Sequence, residues 1–449
     1  MVPQSGFRRR RISSPWSPLT VVISGGLQGL ADSLLQPIII LSTLAFLLGG
    51  TNYQIAAFAV IAAACWSLGG LLVEPLVLLV KGTRPIAIAG IILRTGAIML
   101  LGLIGYRLER LHPANALAGL ILCFAAYELG ALVTASTTNG QVALAYSPAK
   151  RAAIFRWRAL AAAIAAILGG LAAQGTFGSA LTPFPTSGKY LLMLASLSVI
   201  AATWFLIQVP LRSRQFGQQG FSPIGPALRS ASIRRYLTFR LLLGLAAFAD
   251  PLVIVYGLQR IGFNLRYVGI ALVCYALLQL LGTAIWSDRI AARNHIRLLQ
   301  FATFLRLIFL ILAISIPALA SSTFYADRFD SPRIAAWAFA AAFGLLGLAA
   351  SIHNHVNQRY LIDIAVRDGV APPQSAIAVS NLMLGILAFA PLVGAWVATR
   401  FSLEAAITTG GTFAFLAFLS SAALVASRAR GARRRSPLRV GARRARVSR

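Results

Sequence analysis

Five charged residues in this chain of 449 stand inside long stretches that carry little other charge: Asp32, Arg94, Glu128, Asp250 and Arg306. At the centre of a lipid-embedded helix such a residue costs roughly 2.5–3.5 kcal/mol, so each must face protein or a water-filled cavity and find a partner. The expected pairs are Asp32 with Arg94 and Asp250 with Arg306, one acid and one base from each half of the chain. Two roles fit them equally well: a permanent tie between helices, or a site for a substrate or a proton. Glu128 is the candidate proton carrier, because a carboxyl facing an internal cavity can load and release a proton; a hydrogen-bonded packing role is its rival. Glu74, directly before Pro75, suits a helix end.

Other polar groups surround these at helical spacing. Gln28, Asp32 and Gln36 recur every four residues, so they share one face of a helix that Pro37 is expected to kink. Tyr127 adjoins Glu128, and Asp250, Tyr256, Gln259, Tyr275, Gln279 and Asn381 are further candidates for a common cavity. Amides and hydroxyls between helices also serve as packing links, which is the competing role for each of these. His353 and His355, with Asn354 and Asn357, suit a polar turn better than a metal site, because helical ligands need offsets of three or four. The glycine pairs Gly25-Gly26, Gly69-Gly70 and Gly169-Gly170 permit close helix contact and build no nucleotide loop. No metal and no cofactor is expected.

Composition says what must position these groups. With 58% apolar and 12% charged residues, the chain is far from the near-half apolar and quarter charged make-up of soluble domains. Its formal charge of +30 lies between the apolar blocks rather than across a folded surface, which speaks against a nucleic-acid binder. Cys65, Cys123 and Cys274 all fall inside apolar runs, at no disulfide or zinc spacing. The class is a polytopic, multi-pass integral membrane protein.

A hydrocarbon core about 30 Å thick needs about 20 helical residues per crossing. Twelve runs qualify: 20–48, 54–80, 85–106, 114–137, 152–174, 190–209, 237–258, 268–286, 298–319, 335–356, 376–399 and 405–427. They are continuous rather than alternating and too long for barrel strands, so the fold class is all-α. Lys and Arg concentrate at both termini, in the central loop and in the loops after the second, fourth and eighth runs, which places both termini in the cytoplasm. The expected organisation is a basic cytoplasmic segment (1–17), a six-helix bundle (18–209), a cytoplasmic linker (210–236), a second six-helix bundle (237–427) and an Arg-rich tail (428–449). The tail holds ten arginines and no acid, suited either to anionic lipid of the inner leaflet or to setting topology alone.

The halves answer each other. Ala31-Asp32 matches Ala249-Asp250, Leu93-Arg94 matches Leu305-Arg306, and Ala125-Ala126-Tyr127 matches Ala341-Ala342-Phe343, all in chain order. Such ordered matches indicate a duplicated, pseudo-symmetric pair of bundles. After the eighth run, Ala284-Ile285-Trp286-Ser287-Asp288-Arg289-Ile290-Ala291-Ala292-Arg293 is similar to the cytoplasmic signature of the major facilitator superfamily, with Ala in place of its Gly. Ser147-Pro148-Ala149-Lys150-Arg151 resembles that family's turn between helices four and five, while Val80-Lys81-Gly82-Thr83-Arg84-Pro85 keeps the cations of the matching loop without the Asp-Arg pair. The resemblance implies a central cavity lined by helices one, four, seven and ten, and a cytoplasmic gate at Asp288, Arg289 and Arg293.

The function expected from this is secondary transport of a small molecule by alternating access, coupled to protons and directed towards export of small amphiphiles, by a monomer in the plasma (inner) membrane. No nucleic acid partner is expected. A membrane-embedded transferase would need a catalytic cluster near an aqueous loop, whereas Glu109, Asp327, Asp330 and Glu404 are scattered. A non-transporting scaffold or sensor would not need midplane charges in both halves.

Overall fold

The computed structural model of the protein describes residues 18–80, 82–208, 224–285, 288–329, 331–370 and 374–435. Among them there is no strand, and twelve helices are long and apolar enough to cross a membrane. They are helix 1 (Pro18–Leu47), helix 2 (Asn52–Gly69), helix 3 (Thr83–Tyr106), helix 4 (Pro113–Gly140), helix 5 (Ala149–Gly178) and helix 6 (Thr186–Ile207). The second half supplies helix 7 (Ala231–Ile261), helix 8 (Arg266–Ile285), helix 9 (His295–Ala320), helix 10 (Arg333–Arg367), helix 11 (Gln374–Arg400) and helix 12 (Leu403–Val425). The chain is an integral, multi-pass membrane protein.

The helix ends follow local chemistry. Pro113 and Pro148 open helices 4 and 5 at positions where a missing N–H costs nothing. Gly262, at φ +63°, ends helix 7 in the left-handed conformation that glycine adopts most easily. Helix 7 starts six residues before the expected 237, because Ser230 accepts a hydrogen bond from the Ile233 N–H and caps a helix that runs through Arg234 and Arg235. Those two cations read as linker in the sequence.

Three spans are broken inside the membrane. Helix 1 is helical over Pro18–Leu34, passes through a wider turn at Pro37–Leu41 and resumes at Ser42–Leu47. Pro37 has no N–H to give, and the N–H groups of Ile39, Ile40 and Leu41 all turn to the Gln36 carbonyl. Ser42 and Thr43 hydroxyls donate back to the carbonyls of Pro37 and Ile39, which gives buried backbone at the break hydrogen-bond partners. Helix 7 breaks between Leu245 and Asp250, ahead of Pro251, and helix 11 between Leu387 and Ala390, ahead of Pro391.

The pattern of neighbours repeats between halves. Helix 4 packs on helices 2 and 3 as helix 10 packs on 8 and 9, and helix 6 packs on 1 and 3 as helix 12 packs on 7 and 9. Helices 5 and 8, and helices 2 and 11, join the two bundles along their flanks. The side bearing residues 18 and 435 is here the terminal side, and the opposite one the far side. On the far side a single buried apolar cluster unites both bundles, from Ile39 and Leu44 through Phe124 to Leu252, Phe339 and Phe343. Towards the terminal side the clusters are separate: Tyr236, Phe239 and Ile352 belong to one bundle, while Val73, Ile86 and Leu132, and Val21, Val142 and Ile154, belong to the other. A shared apolar core joins the bundles on the far side, whereas towards the terminal side each bundle keeps clusters of its own.

Candidate functional site

Asp32 sits on the last regular turn of helix 1 before its break. Its neighbours Ala31, Ser33, Leu34 and Leu35 are buried, yet Asp32 itself is exposed. Its carboxylate accepts a hydrogen bond at 2.7 Å from the hydroxyl of Tyr127, a residue only 1% exposed. The carboxylate is thus on an accessible residue and is tied to a phenol buried inside the bundle.

Tyr127 in turn accepts a hydrogen bond from Arg94 Nη2 at 2.9 Å, and the guanidinium carbon lies 5.0 Å from the ring centroid. Arg94 is 3% exposed. Helices 3 and 4 can bring these groups together because Gly130 lacks a side chain: a Cβ there would stand 2.5 Å from the Arg94 backbone nitrogen. Guanidinium, phenol and carboxylate thus form one chain across helices 3, 4 and 1. Next along helix 4, Glu128 is buried and accepts a hydrogen bond at 2.9 Å from the indole N–H of Trp66 on helix 2. Protonating Asp32 would turn an acceptor into a donor and free the Tyr127 hydroxyl to turn elsewhere, so this chain can translate a proton into a changed contact between helices 1 and 4.

A further cation reaches the same region. Arg158 of helix 5 donates to Gln28 Oε1 at 3.3 Å and to Asn139 Oδ1 at 3.2 Å. Its stem lies against Gly25, where a Cβ would come within 2.2 Å of Arg158 Cγ. Arg158 lies near the start of the expected fifth run, 152–174, and the structure carries it inside.

The second bundle solves the same problem more directly. Asp250, on the first turn after the break in helix 7, accepts two hydrogen bonds of 2.6 Å from Arg306 Nη2 on helix 9. Both residues are buried. Two levels of matching charge therefore exist, one per bundle, but the first is bridged by a tyrosine and includes an exposed residue while the second is a closed pair.

No family model matches the chain, and no curated protein matches its sequence. Its fold, however, is similar to several solved structures. A mutant of the peptide transporter POT aligns at TM-score 0.65 with 13% identity, over 96% of each chain. The nucleoside transporter NupG aligns at 0.60 with 12% identity, over 91% of this chain and 98% of that one. A D-xylose-proton symporter aligns at 0.59 with 15% identity, over 90% and 96%. The chain shares the overall fold of these solved transporters.

Within that fold the remaining expected residues are dispersed. Gln36, beside the helix 1 break, lies next to Tyr275 of helix 8. Gln279 uses its backbone carbonyl to accept from Thr283. Tyr256 does not join Asp250: its hydroxyl donates to Glu404, whose partner is Arg260, at the far rim of the second bundle. Asn381 instead lines a cavity of about 120 Å³ with Arg240 and His353, between helices 7, 10 and 11 on the terminal side. His355 binds the Ser351 carbonyl through Nδ1. The side chains of Glu74, Asp288, Arg289 and Arg293 lie outside the described residues, as do the first 17 residues and the side chains of the Arg-rich tail. Trp66, Arg158 and Arg240 are the members of these polar sites that sequence spacing did not single out. The only signal for the last two was a cation close to, or inside, an apolar run.

Proposed function

We propose that this protein is a secondary transporter that moves a small molecule by alternating access, with the termini in the cytosol of a plasma (inner) membrane. The observation that carries the reading is the carboxylate of accessible Asp32, hydrogen-bonded to buried Tyr127 where helix 1 is broken. Broken helices at the midplane of a duplicated fold place polar groups at the interface between repeats, where carriers hold their cargo. Two bundles that share an apolar core on only one side suit a molecule whose halves rock against each other between the two states that alternation requires. The drive is a proton gradient, with Asp32 as the proton site and Glu128 as the second acid along helix 4. The reading includes export of small amphiphiles, the cargo class suited to an interior of few free charges.

The test uses the purified protein in liposomes that hold a pH-sensitive dye, challenged with a panel of small amphiphiles. The expected result is proton movement for a subset of compounds, lost in Asp32→Asn. Dye traces indistinguishable from empty liposomes for the whole panel would reject the reading. Sidedness is read separately from a cysteine placed in the 436–449 tail, which an impermeant thiol reagent must fail to label in intact right-side-out cells.

A further inference from the structure

Four arginines reach the bundles' interior, Arg94, Arg158, Arg240 and Arg306, and Arg158 donates to Gln28 and Asn139. Arg94 is held by Tyr127 on the way to Asp32, and Arg306 by Asp250. Arg240 has no such partner. Among the described residues no ion pair or hydrogen bond holds it, and its buried Nε is unpartnered. Across the same cavity both ring nitrogens of His353 are also buried and unpartnered. Tyr236, Asn354, Asn357, Gln358, Ser380 and Asn381 supply the rest of the polar wall, and no acid lines the cavity.

A half-buried guanidinium without a counter-charge is unfavourable, and so is each buried nitrogen left without a hydrogen bond. Both costs vanish together if something anionic enters. We infer that the cavity between helices 7, 10 and 11 binds the carboxylate of a small organic acid, with Arg240 as the counter-charge and His353, Asn381 and Ser380 as hydrogen-bond partners. The inference rests on the transporter reading for its purpose, since it makes this the subsite that holds the polar head of the cargo. A guanidinium offers two parallel N–H donors to one carboxylate, and a neutral imidazole adds one more. One cation among neutral amides balances one negative charge; a phosphomonoester, carrying nearly two, would call for a second. The volume sets the remaining limit. Drug-sized ligands fill roughly 300–1,000 Å³, so about 120 Å³ holds the head of a molecule whose apolar body lies outside it.

The experiment is ligand-dependent thermal stability of the full-length protein in detergent, because a molecule that binds the folded form raises its apparent midpoint by mass action. The probes are a series of monocarboxylates from acetate through octanoate to benzoate, with octanamide and benzamide as uncharged controls and phenyl phosphate as the alternative anion. Octanoate or benzoate is expected to raise the midpoint saturably, with no shift from the amides and a weaker one from phenyl phosphate. Arg240→Gln should abolish the shift, Arg240→Lys should restore part of it, and Asn381→Ala should weaken apparent affinity about tenfold, the value of one hydrogen bond to a charged group. Asn381→Ala keeps the test decisive should the arginine variants fail to fold. No shift from any carboxylate, an equal shift from benzamide, a stronger one from phenyl phosphate, or a shift unchanged in Asn381→Ala would each overturn the inference. Carboxylate binding that needs Arg240, in a protein that moves nothing in liposomes, would defeat the transporter reading alone. Movement of uncharged amphiphiles with no such binding would defeat this inference alone.

Discussion

Arg306 holds Asp250 from helix 9 with one nitrogen 2.6 Å from each carboxylate oxygen, and both residues are buried. Removing either partner leaves the other as an uncompensated charge, which costs about 3–5 kcal/mol in a buried setting, whereas replacing both with apolar groups is often neutral. Asp250→Leu and Arg306→Met should therefore each destabilise the protein strongly, and the double variant should recover most of the loss. Denaturation midpoints of the four proteins in the same detergent close the cycle. Additive losses in the double variant would mean that the pair does not act as a unit.

In the first bundle the corresponding connection depends on a hydroxyl. Tyr127→Phe removes the group that accepts from Arg94 and donates to Asp32, leaving a buried guanidinium short of a partner. The expected loss is about 1–3 kcal/mol, the cost of one unsatisfied buried polar group. In the Tyr127→Phe background, Asp32→Asn should cost less than it does alone, because the bond it weakens has already gone. Equal effects of Asp32→Asn in both backgrounds would show that Tyr127 does not mediate between Arg94 and Asp32.

The spans and the break at Pro37 were legible in the sequence because lipid imposes a single solution, continuous apolar helix, and proline marks where that solution yields; the breaks ahead of Pro251 and Pro391 were not singled out. The midplane acids and bases were legible for the same reason: a charge at that depth needs a cause. Which groups meet was not legible where the meeting depends on how closely two helices approach. Tyr127 reaches Arg94 only because Gly130 brings helix 3 within contact of helix 4, and a single sequence does not record which glycines lie at crossings. Arg158 is hidden by its position near the start of a run, where a cation needs no buried partner. Trp66 is hidden because an indole in an apolar run looks like any lipid-facing aromatic. Asn381 belongs with Arg240 and His353 rather than with Asp250, and Tyr256 belongs with Glu404; both assignments follow from how helices 7, 10, 11 and 12 are set against one another.

Outside the membrane, Asp368 ties the end of helix 10 to the start of helix 7. It accepts a hydrogen bond from Ser230 Oγ at 2.6 Å and one from Arg367 Nε at 3.2 Å. Partial burial works against its charge, but the bonds from Ser230, Ser232 and Arg367 outweigh it and hold its pKa below the ordinary carboxylate value. A carboxyl whose pKa is lower folded than unfolded stabilises the fold above its unfolded value, about 3.9, and that contribution fades as pH falls through the folded value. The midpoint gap between the natural protein and Asp368→Asn, expected to reflect at most about 1 kcal/mol for so exposed a group, should be constant from pH 7 to 5 and close below about pH 4. A gap that widens on acidification would reverse the sign of the assignment.

The joint between bundles rests on glycine where helix 8 crosses helix 5. A Cβ on Gly269 would stand 2.2 Å from the backbone nitrogen of Gln174, and one on Gly170 would stand 2.9 Å from that of Val273. Backbone cannot step aside as a flexible side chain can, so even one methyl group at Gly269 must push the two helices apart, and with them the bundles they belong to. Gly96, on helix 3, has nothing within 4 Å of the same added atom. Gly269→Ala should cost about 1–3 kcal/mol, the range for overpacking a close contact, whereas Gly96→Ala should be neutral or gain up to about 1 kcal/mol from its better helix propensity. Both are read from thermal midpoints in one detergent, and a cysteine pair across helices 5 and 8 should crosslink more slowly in Gly269→Ala than in the parent. If Gly269→Ala matched Gly96→Ala in stability and left the crosslinking rate unchanged, helices 5 and 8 could not be in the contact described, and the joint between the bundles would have to lie elsewhere.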